Sequence, residues 1–424
     1  MWSTIARSCA CLSLSIFASA VGAQTGPPVS RPAIGLPEAL ARTVARNPEL
    51  AVLGYRIEAA EGRLQQADLR PNPELGVNVQ DAFGTDAYNG FDSTETTVTL
   101  GWVLERSVRE RLIDEARTDV SLRTLDAEIV RVDAAAETAR RFLDCLAYQG
   151  RLQNAADAVR LAEETVAAVR NRVEASRAPE AELSRAQAEL ARAELVVEDY
   201  EHELLSGYHR LSAQWGETQP DFASVDGELE SISTVEPLEA LLARAGQNPE
   251  LARYLSEKRL AEAQLRLAEA RARPSWIAHA GLRRYELSDD VALVGGITIP
   301  LPVRNRNQGR IAEARADVAR TQAQREAARV RLETALFVLY QELRHNTQLA
   351  RRLVDDVIPR IERALADTRR AYELGRYSYL EWSVVQEELL EANNDLLEAG
   401  IDARRIIIEL ERLTGVRFAP PSGQ

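Results

Sequence analysis

The sequence predicts an α+β membrane protein made of a repeated unit, in which long antiparallel α-helical coiled-coil hairpins carry four transmembrane β-strands per chain. Three observations lead there. Residues 38–80 recur about 201 positions later, at 239–281: Glu38-Ala39-Leu40 matches Glu239-Ala240-Leu241, Asn47-Pro48-Glu49-Leu50-Ala51 matches Asn248-Pro249-Glu250-Leu251-Ala252, and Pro73 matches Pro274. A duplication of this length is an internal structural repeat. Neither Gly nor Pro interrupts 102–149 or 310–358, runs far longer than an ordinary globular helix. After Pro73 and again after Pro274 the apolar period drops to two, the mark of a strand with two unlike faces.

Taken in order, residues 1–23 read as a secretory signal peptide, with Arg7, an apolar run over 10–20 and a Val21-Gly22-Ala23 ending. A membrane anchor needs about 20 apolar residues, and serines break this run. Cys9 and Cys11 leave with the signal, so Cys145 remains alone and forms no intramolecular disulfide. A linker at 24–35 leads to a first repeat, 36–216; a second linker at 217–236 leads to a second repeat, 237–416, and 417–424 is a tail. No later stretch reaches 18 apolar residues, which leaves export as a soluble protein or spanning as a β-barrel. The net charge is −13, Lys258 is the sole lysine, and the arginines form no concentrated basic stripe, so nucleic acid is not expected as a partner.

Strands are expected at about 74–81 and 94–102, and in the second copy at about 275–285 and 291–300. In the first, Leu75, Val77 and Val79 alternate with Gly76, Asn78 and Gln80; in the second, Thr96, Val98, Leu100 and Trp102 share a face. Each is close to the 9–11 residues that a tilted strand needs to cross a bilayer. Four strands cannot close a barrel, and open edges are forbidden in lipid. Several chains must then share one barrel, and three chains supply twelve strands. On that reading Asn78, Gln80, His279 and Arg283 are candidates for the lumen, and Trp102 and Trp276 for anchors at the membrane interface. A small soluble sheet packed on the helices is the alternative.

Ala, Glu, Arg and Leu dominate the helical part, with apolar residues at helical spacing, as in Leu112, Ala116, Val120 and Leu125. A rod over 105–170 reaches roughly 100 Å at 1.5 Å per residue, and returns are expected at 180–214 and 380–413. The hairpins turn at 175–179 and 374–378. Pro179 suits the first turn of its return helix. Gly375 can take a positive φ, and Ser378 with Glu381 fits a capping box. The tips align Ser176 on Gly375 and Gln187 on Gln386. Charges crowd them: Arg172, Glu174, Arg177, Glu373 and Arg376 are read either as ion pairs closing a mouth or as a solvated face.

At this point the chain resembles the TolC-like bacterial outer-membrane efflux proteins. The likeness runs from Leu36 to Val416 and is carried by the paired Asn-Pro-Glu-Leu, by Arg172-Val173-Glu174-Ala175-Ser176 leading into Ala181-Glu182-Leu183-Ser184-Arg185-Ala186-Gln187, and by Leu374-Gly375-Arg376-Tyr377-Ser378. Pro300-Leu301-Pro302-Val303-Arg304-Asn305-Arg306-Asn307-Gln308-Gly309 before Ile311-Ala312-Glu313-Ala314 is similar to the CzcC-like, heavy-metal cation branch. The resemblance implies a homotrimer with a twelve-stranded barrel in outer-membrane lipid and a helical barrel in the periplasm. It implies docking to a periplasmic adaptor and an inner-membrane pump of the resistance-nodulation-division type, and a passive channel for divalent metal cations. Ala175, Ser176, Ala178, Pro179, Leu374, Gly375, Tyr377 and Ser378 are then the docking candidates at the tips. The chain departs from the family in a short external loop at 286–290 and in Trp382, where an aliphatic residue is usual. Export of organic molecules, and a soluble periplasmic scaffold, are the competing readings.

The residues offer no catalytic constellation: no HExxH, nucleophile elbow or phosphate loop accompanies His202, His209, His279 and His345. His202 and His209 stand two turns apart, too far for one ion, and His279 aligns with Asn78 as a solvated lumen residue. No cofactor or metal ligand set is expected. Met1 is the only methionine, so no thioether relay for soft cations exists in the mature chain.

Overall fold

The structure is a computed structural model that describes residues 32–227, 229, 236–246 and 248–415. The expected signal peptide and tail, and parts of both linkers, lie outside the described residues. The first half holds β1 (Ala33–Gly35), α1 (Leu36–Arg46), α2 (Pro48–Asp68), β2 (Glu74–Gln80), β3 (Glu95–Leu104), α3 (Arg106–Glu174), α4 (Glu180–Ser212) and β4 (Ser224–Asp226). The second holds α5 (Leu238–Ala245), α6 (Pro249–Ala270), β5 (Trp276–Tyr285), β6 (Asp290–Thr298), α7 (Gln308–Arg352), α8 (Ile358–Glu373) and α9 (Tyr379–Thr414). Helix, helix, strand, strand, rod and return follow one another in both. The α3 rod has 69 residues, a turn more than the sequence pattern marked out.

The shared Asn-Pro motif has a clear task. Asn47 caps α2, its side-chain oxygen accepting from the Glu49 and Leu50 N–H groups, while its amide donates to the Gln214 carbonyl at 2.9 Å. Asn248 caps α6 and donates to the Leu413 carbonyl in the same way. Each unit's second helix is thereby tied to the far end of its own return helix. Close approach there requires glycine: Gly216 and Gly415 have φ of +81° and +70°. A Cβ on Gly216 would come 3.3 Å from Pro48 Cγ, and one on Gly415 3.4 Å from Pro249 Cδ.

The second rod is broken where the first is not. Pro359 has no N–H to offer the Asp355 carbonyl, and residues 353–357 form a π-helical turn between α7 and α8. The inward seam steps by three or four to Leu353, then by five to Ile358, and continues through Ile361, Leu365, Thr368 and Tyr372. One additional residue thus rephases the rod so that α8 keeps facing α9. Sideways, α3 packs between α4 and α9 towards the tips and between α2 and α6 towards the sheet, and α7 packs on α6 and α9. The long helices pack side by side, with α2 and α4 on one flank and α7 and α8 on the other.

The sheet runs β2-β3-β5-β6, antiparallel throughout, with Asn78 level with Thr97 and Arg283. Its apolar face is bare: Leu75, Val77, Leu282, Val291, Leu293 and Ile297 are all exposed, Leu293 to 88%. β2 and β6 are open edges. The expected linkers are not plain connections, because β1 and β4 pair in parallel, Ile34 with Val225, beside the core of the first half. That core gathers Phe142, Cys145, Leu211, Trp215 and Phe222 around α1, and its counterpart gathers Leu241, Leu336, Leu343 and Leu410 around α5. Burial pushes the Cys145 thiol up to about 12, as befits a packing residue.

Two expectations follow. Gly216→Ala forces a left-handed backbone on a residue with a Cβ and presses it on Pro48, a cost of about 1–3 kcal/mol; Gly309→Ala, which meets nothing within 4 Å, costs none. Thermal unfolding followed by circular dichroism in detergent should show the first several degrees below the second. Glu411 is pushed up to about 7 by burial, opposed by Arg244. A raised carboxyl favours the folded state at low pH and loses that contribution as pH rises through the folded value. Glu411→Gln should therefore unfold at a higher temperature than the natural protein at pH 8, with the gap closing towards pH 4.5.

Candidate functional site

Both hairpins end in the same turn. The Arg177 N–H bonds the Arg172 carbonyl and the Ser176 N–H the Val173 carbonyl, both at 2.8 Å; the Arg376 N–H bonds Ala371 and the Gly375 N–H Tyr372, both at 2.9 Å. These are Schellman closures, with Ser176 at φ 56° and Gly375 at φ 72°. The Ser378–Glu381 capping box is present. Pro179 stands one position earlier than its sequence suggests, as the N-cap of α4 with extended backbone and not inside the first turn. Ala175, Ser176, Pro179, Leu374, Gly375, Tyr377 and Ser378 form the exposed end of the two tips, with Ala178 half-buried.

Behind that end, the tips of one chain are joined. Val166, Val169 and Ala186 of the first hairpin share a cluster with Tyr372, Tyr379 and Trp382 of the second. Arg172 crosses between them: one guanidinium nitrogen donates to the Tyr372 carbonyl, another to the Arg177 carbonyl at 3.1 Å, and its carbon lies 4.3 Å from the Tyr372 ring centroid. The Tyr372 hydroxyl donates to Glu182 at 3.0 Å and its ring stacks on Trp382 with centroids 5.0 Å apart. Burial, with Glu182 beside it, pushes Tyr372 up to about 12, so the bond-donating hydroxyl persists at all ordinary pH. Further along, Gln386 donates to Thr165 at 2.7 Å and Arg369 pairs with Glu164 at 3.0 Å.

The five charged candidates therefore separate. Arg172 joins the hairpins, and Glu373 pairs within its own helix with Arg369 at 3.4 Å. Glu174, Arg177 and Arg376 are exposed. Sequence reasoning missed Tyr372 and Glu182 as bridging groups; their only signal was an aromatic and a carboxylate near each turn.

On the sheet, Asn78, Gln80, His279 and Arg283 share the polar face. Arg283 donates to Thr97 and pairs with Glu95, both at 2.9 Å. His279 lies over Gly296, where a Cβ would come 2.6 Å from its Nε2. Trp102 and Trp276 stand on the opposite, apolar face at the end of the sheet next to the rods, both nearly half exposed. Among the described residues of one chain, no three His, Cys, Asp or Glu side chains are grouped as metal ligands, and no helix is long and apolar enough to cross a membrane.

This pairing of a half-apolar sheet with long rods has known counterparts. The sequence profile described as "Outer membrane efflux protein" matches residues 39–217. Over that stretch the chain resembles the outer membrane efflux proteins. It is 26% identical over 377 residues to the cobalt-zinc-cadmium resistance protein CzcC of Cupriavidus metallidurans, covering 88% of this chain and 89% of that one. It is 25% identical to the nickel-cobalt-cadmium resistance protein NccC of Alcaligenes xylosoxydans xylosoxydans, covering 78% of this chain and 74% of the relative. In fold it matches the outer membrane protein VceC of Vibrio cholerae, with a TM-score of 0.73 at 17% identity over 90% of this chain and 96% of that one. The open MtrE channel of Neisseria gonorrhoeae gives a TM-score of 0.68 at 16% identity, covering 90% and 88%. These relatives are channel and resistance proteins, not enzymes.

Arg172 is the charged candidate that bonds across the hairpins, so Arg172→Ala should raise single-channel conductance in planar bilayers, whereas Glu174→Gln and Arg376→Gln should change it little. Equal conductance in all three would remove Arg172 from the closed mouth.

Proposed function

We propose that this protein is an outer membrane efflux protein, the duct of a tripartite export system, passing divalent heavy-metal cations of the cobalt, zinc and cadmium type to the exterior. The observation that carries the cargo is the likeness to CzcC along nearly nine-tenths of both chains. The duct is a homotrimer: three copies of the four-stranded sheet close a twelve-stranded barrel, with the apolar face towards lipid and Asn78, Gln80, His279 and Arg283 towards the lumen. Trp102 and Trp276 anchor the periplasmic rim of the barrel in outer-membrane lipid. The two halves act as duplicate units, so that three chains approximate six-fold order in the rods.

Export here involves gating and no chemistry. The exposed tip residues around Gly375 receive a periplasmic adaptor, and an inner-membrane pump of the resistance-nodulation-division type supplies the energy. The Arg172–Tyr372–Glu182 link holds the periplasmic mouth closed until the adaptor engages. The pump and adaptor select the ion; a wide, water-filled duct need not bind it.

A strain deleted for this gene should grow poorly on cobalt, zinc, cadmium or nickel while keeping its tolerance of dyes and antibiotics, and the gene should restore growth. A Gly375→Trp allele should form the oligomer and fail to restore it. Sensitivity confined to organic compounds would overturn the metal cargo.

A further inference from the structure

Three of the four histidines, His202, His209 and His345, stand exposed on the flanks of the packed helices. The repeat says what those flanks correspond to. Ser176 and Gly375, and likewise Gly216 and Gly415, are 199 positions apart, so α4 answers to α9 at that spacing. Along α3 and α7 the spacing is 198, because the π turn holds one additional residue. Packing agrees. Thr138, Phe142 and Cys145, which face α1, correspond to Leu336, Tyr340 and Leu343, which face α5.

Inside the chain, α9 lies in a seam of α3. Leu397 sits over Gly150, where a Cβ would come 2.8 Å from its Cδ1, and Ile401 and Ala147 are buried to 0% and 2% exposure. The counterparts on the two flanks are Glu198 for Leu397, His202 for Ile401, His345 for Ala147 and Gln348 for Gly150, all exposed. When copies close into a ring, α4 of one meets α7 of the next as α9 meets α3 within a chain. The apolar seam is thus replaced, at one level, by a carboxylate and two imidazoles.

Burying those groups between helices without partners would be costly. They are also a good ligand set. Glu198 Oε1 stands 3.8 Å from His202 Nε2, one turn away on the same face, and His345 of the neighbouring copy arrives against His202. Imidazole with carboxylate suits zinc, cobalt and nickel.

We propose that each junction between copies carries a divalent transition-metal site, formed by Glu198 and His202 of one copy and His345 of the next, which clamps the ring from within its wall. This rests on the trimeric reading above. His209 is no ligand: it stands two turns along α4 from His202, and its Nδ1 faces the Thr218 carbonyl at 2.7 Å.

The test uses the detergent-purified, chelator-stripped oligomer titrated with Co2+, followed by visible absorption and equilibrium dialysis. One Co2+ per chain is expected, with at least tenfold weaker binding in His202→Ala and in His345→Ala and no change in His209→Ala. Absent binding, or equal binding in all three variants, overturns the site. A His202→Cys/His345→Cys pair in a Cys145→Ala background separates the two readings. Oxidation to inter-chain disulfides supports the junction even if Co2+ fails to bind, whereas a monomer without cross-links overturns the trimer itself.

Discussion

The tie between the two ends of each unit, made by Asn47 and Asn248, is the constraint on which the rest depends. A rod of 69 residues can place its tip only as accurately as its base is held. Asn47 satisfies the orphan N–H groups at the start of α2 and, with the same side chain, a carbonyl at the end of the returning α4. The proline beside it has no N–H to lose, and the left-handed glycine opposite leaves room for its ring. Repeated at Asn248, this fixes the heights of both tips relative to the sheet. Arg172, Tyr372 and Glu182 can then meet across two hairpins whose turns lie nearly two hundred residues apart.

A single chain leaves the same kind of surface unfinished at every height. The sheet stops at β2 and β6 with backbone groups unpaired and a bare apolar face. The packed helices stop at α2 and α4 on one flank and α7 and α8 on the other. Unpaired strand edges are intolerable in lipid. On the trimeric reading proposed above, further copies of the chain would complete strands and helices in one step, with the packing of α3 against α9 as the pattern for the junction.

Much of this was legible in the residues. The strands follow from alternation after Pro73 and Pro274, and the tips from turn-forming residues between Gly-free and Pro-free runs; both depend on local chemistry. Ser176 could be given its left-handed turn only by alignment with Gly375. What stayed hidden depends on how distant segments meet. The β1–β4 pair is three residues on each side, too short to show a period. The π turn is signalled by Pro359 alone, and the proline does not say that the rod continues beyond it. Of the five charged tip residues, sequence gave no reason to prefer Arg172, since its partner is a backbone carbonyl.

On the reading proposed above, the chain is complete only as a closed ring in the outer membrane. Native mass spectrometry of the protein extracted from outer membranes tests it most directly. A closed ring gives a detergent-resistant particle with three times the mass of the processed chain; a monomer recovered from the soluble periplasm rules it out.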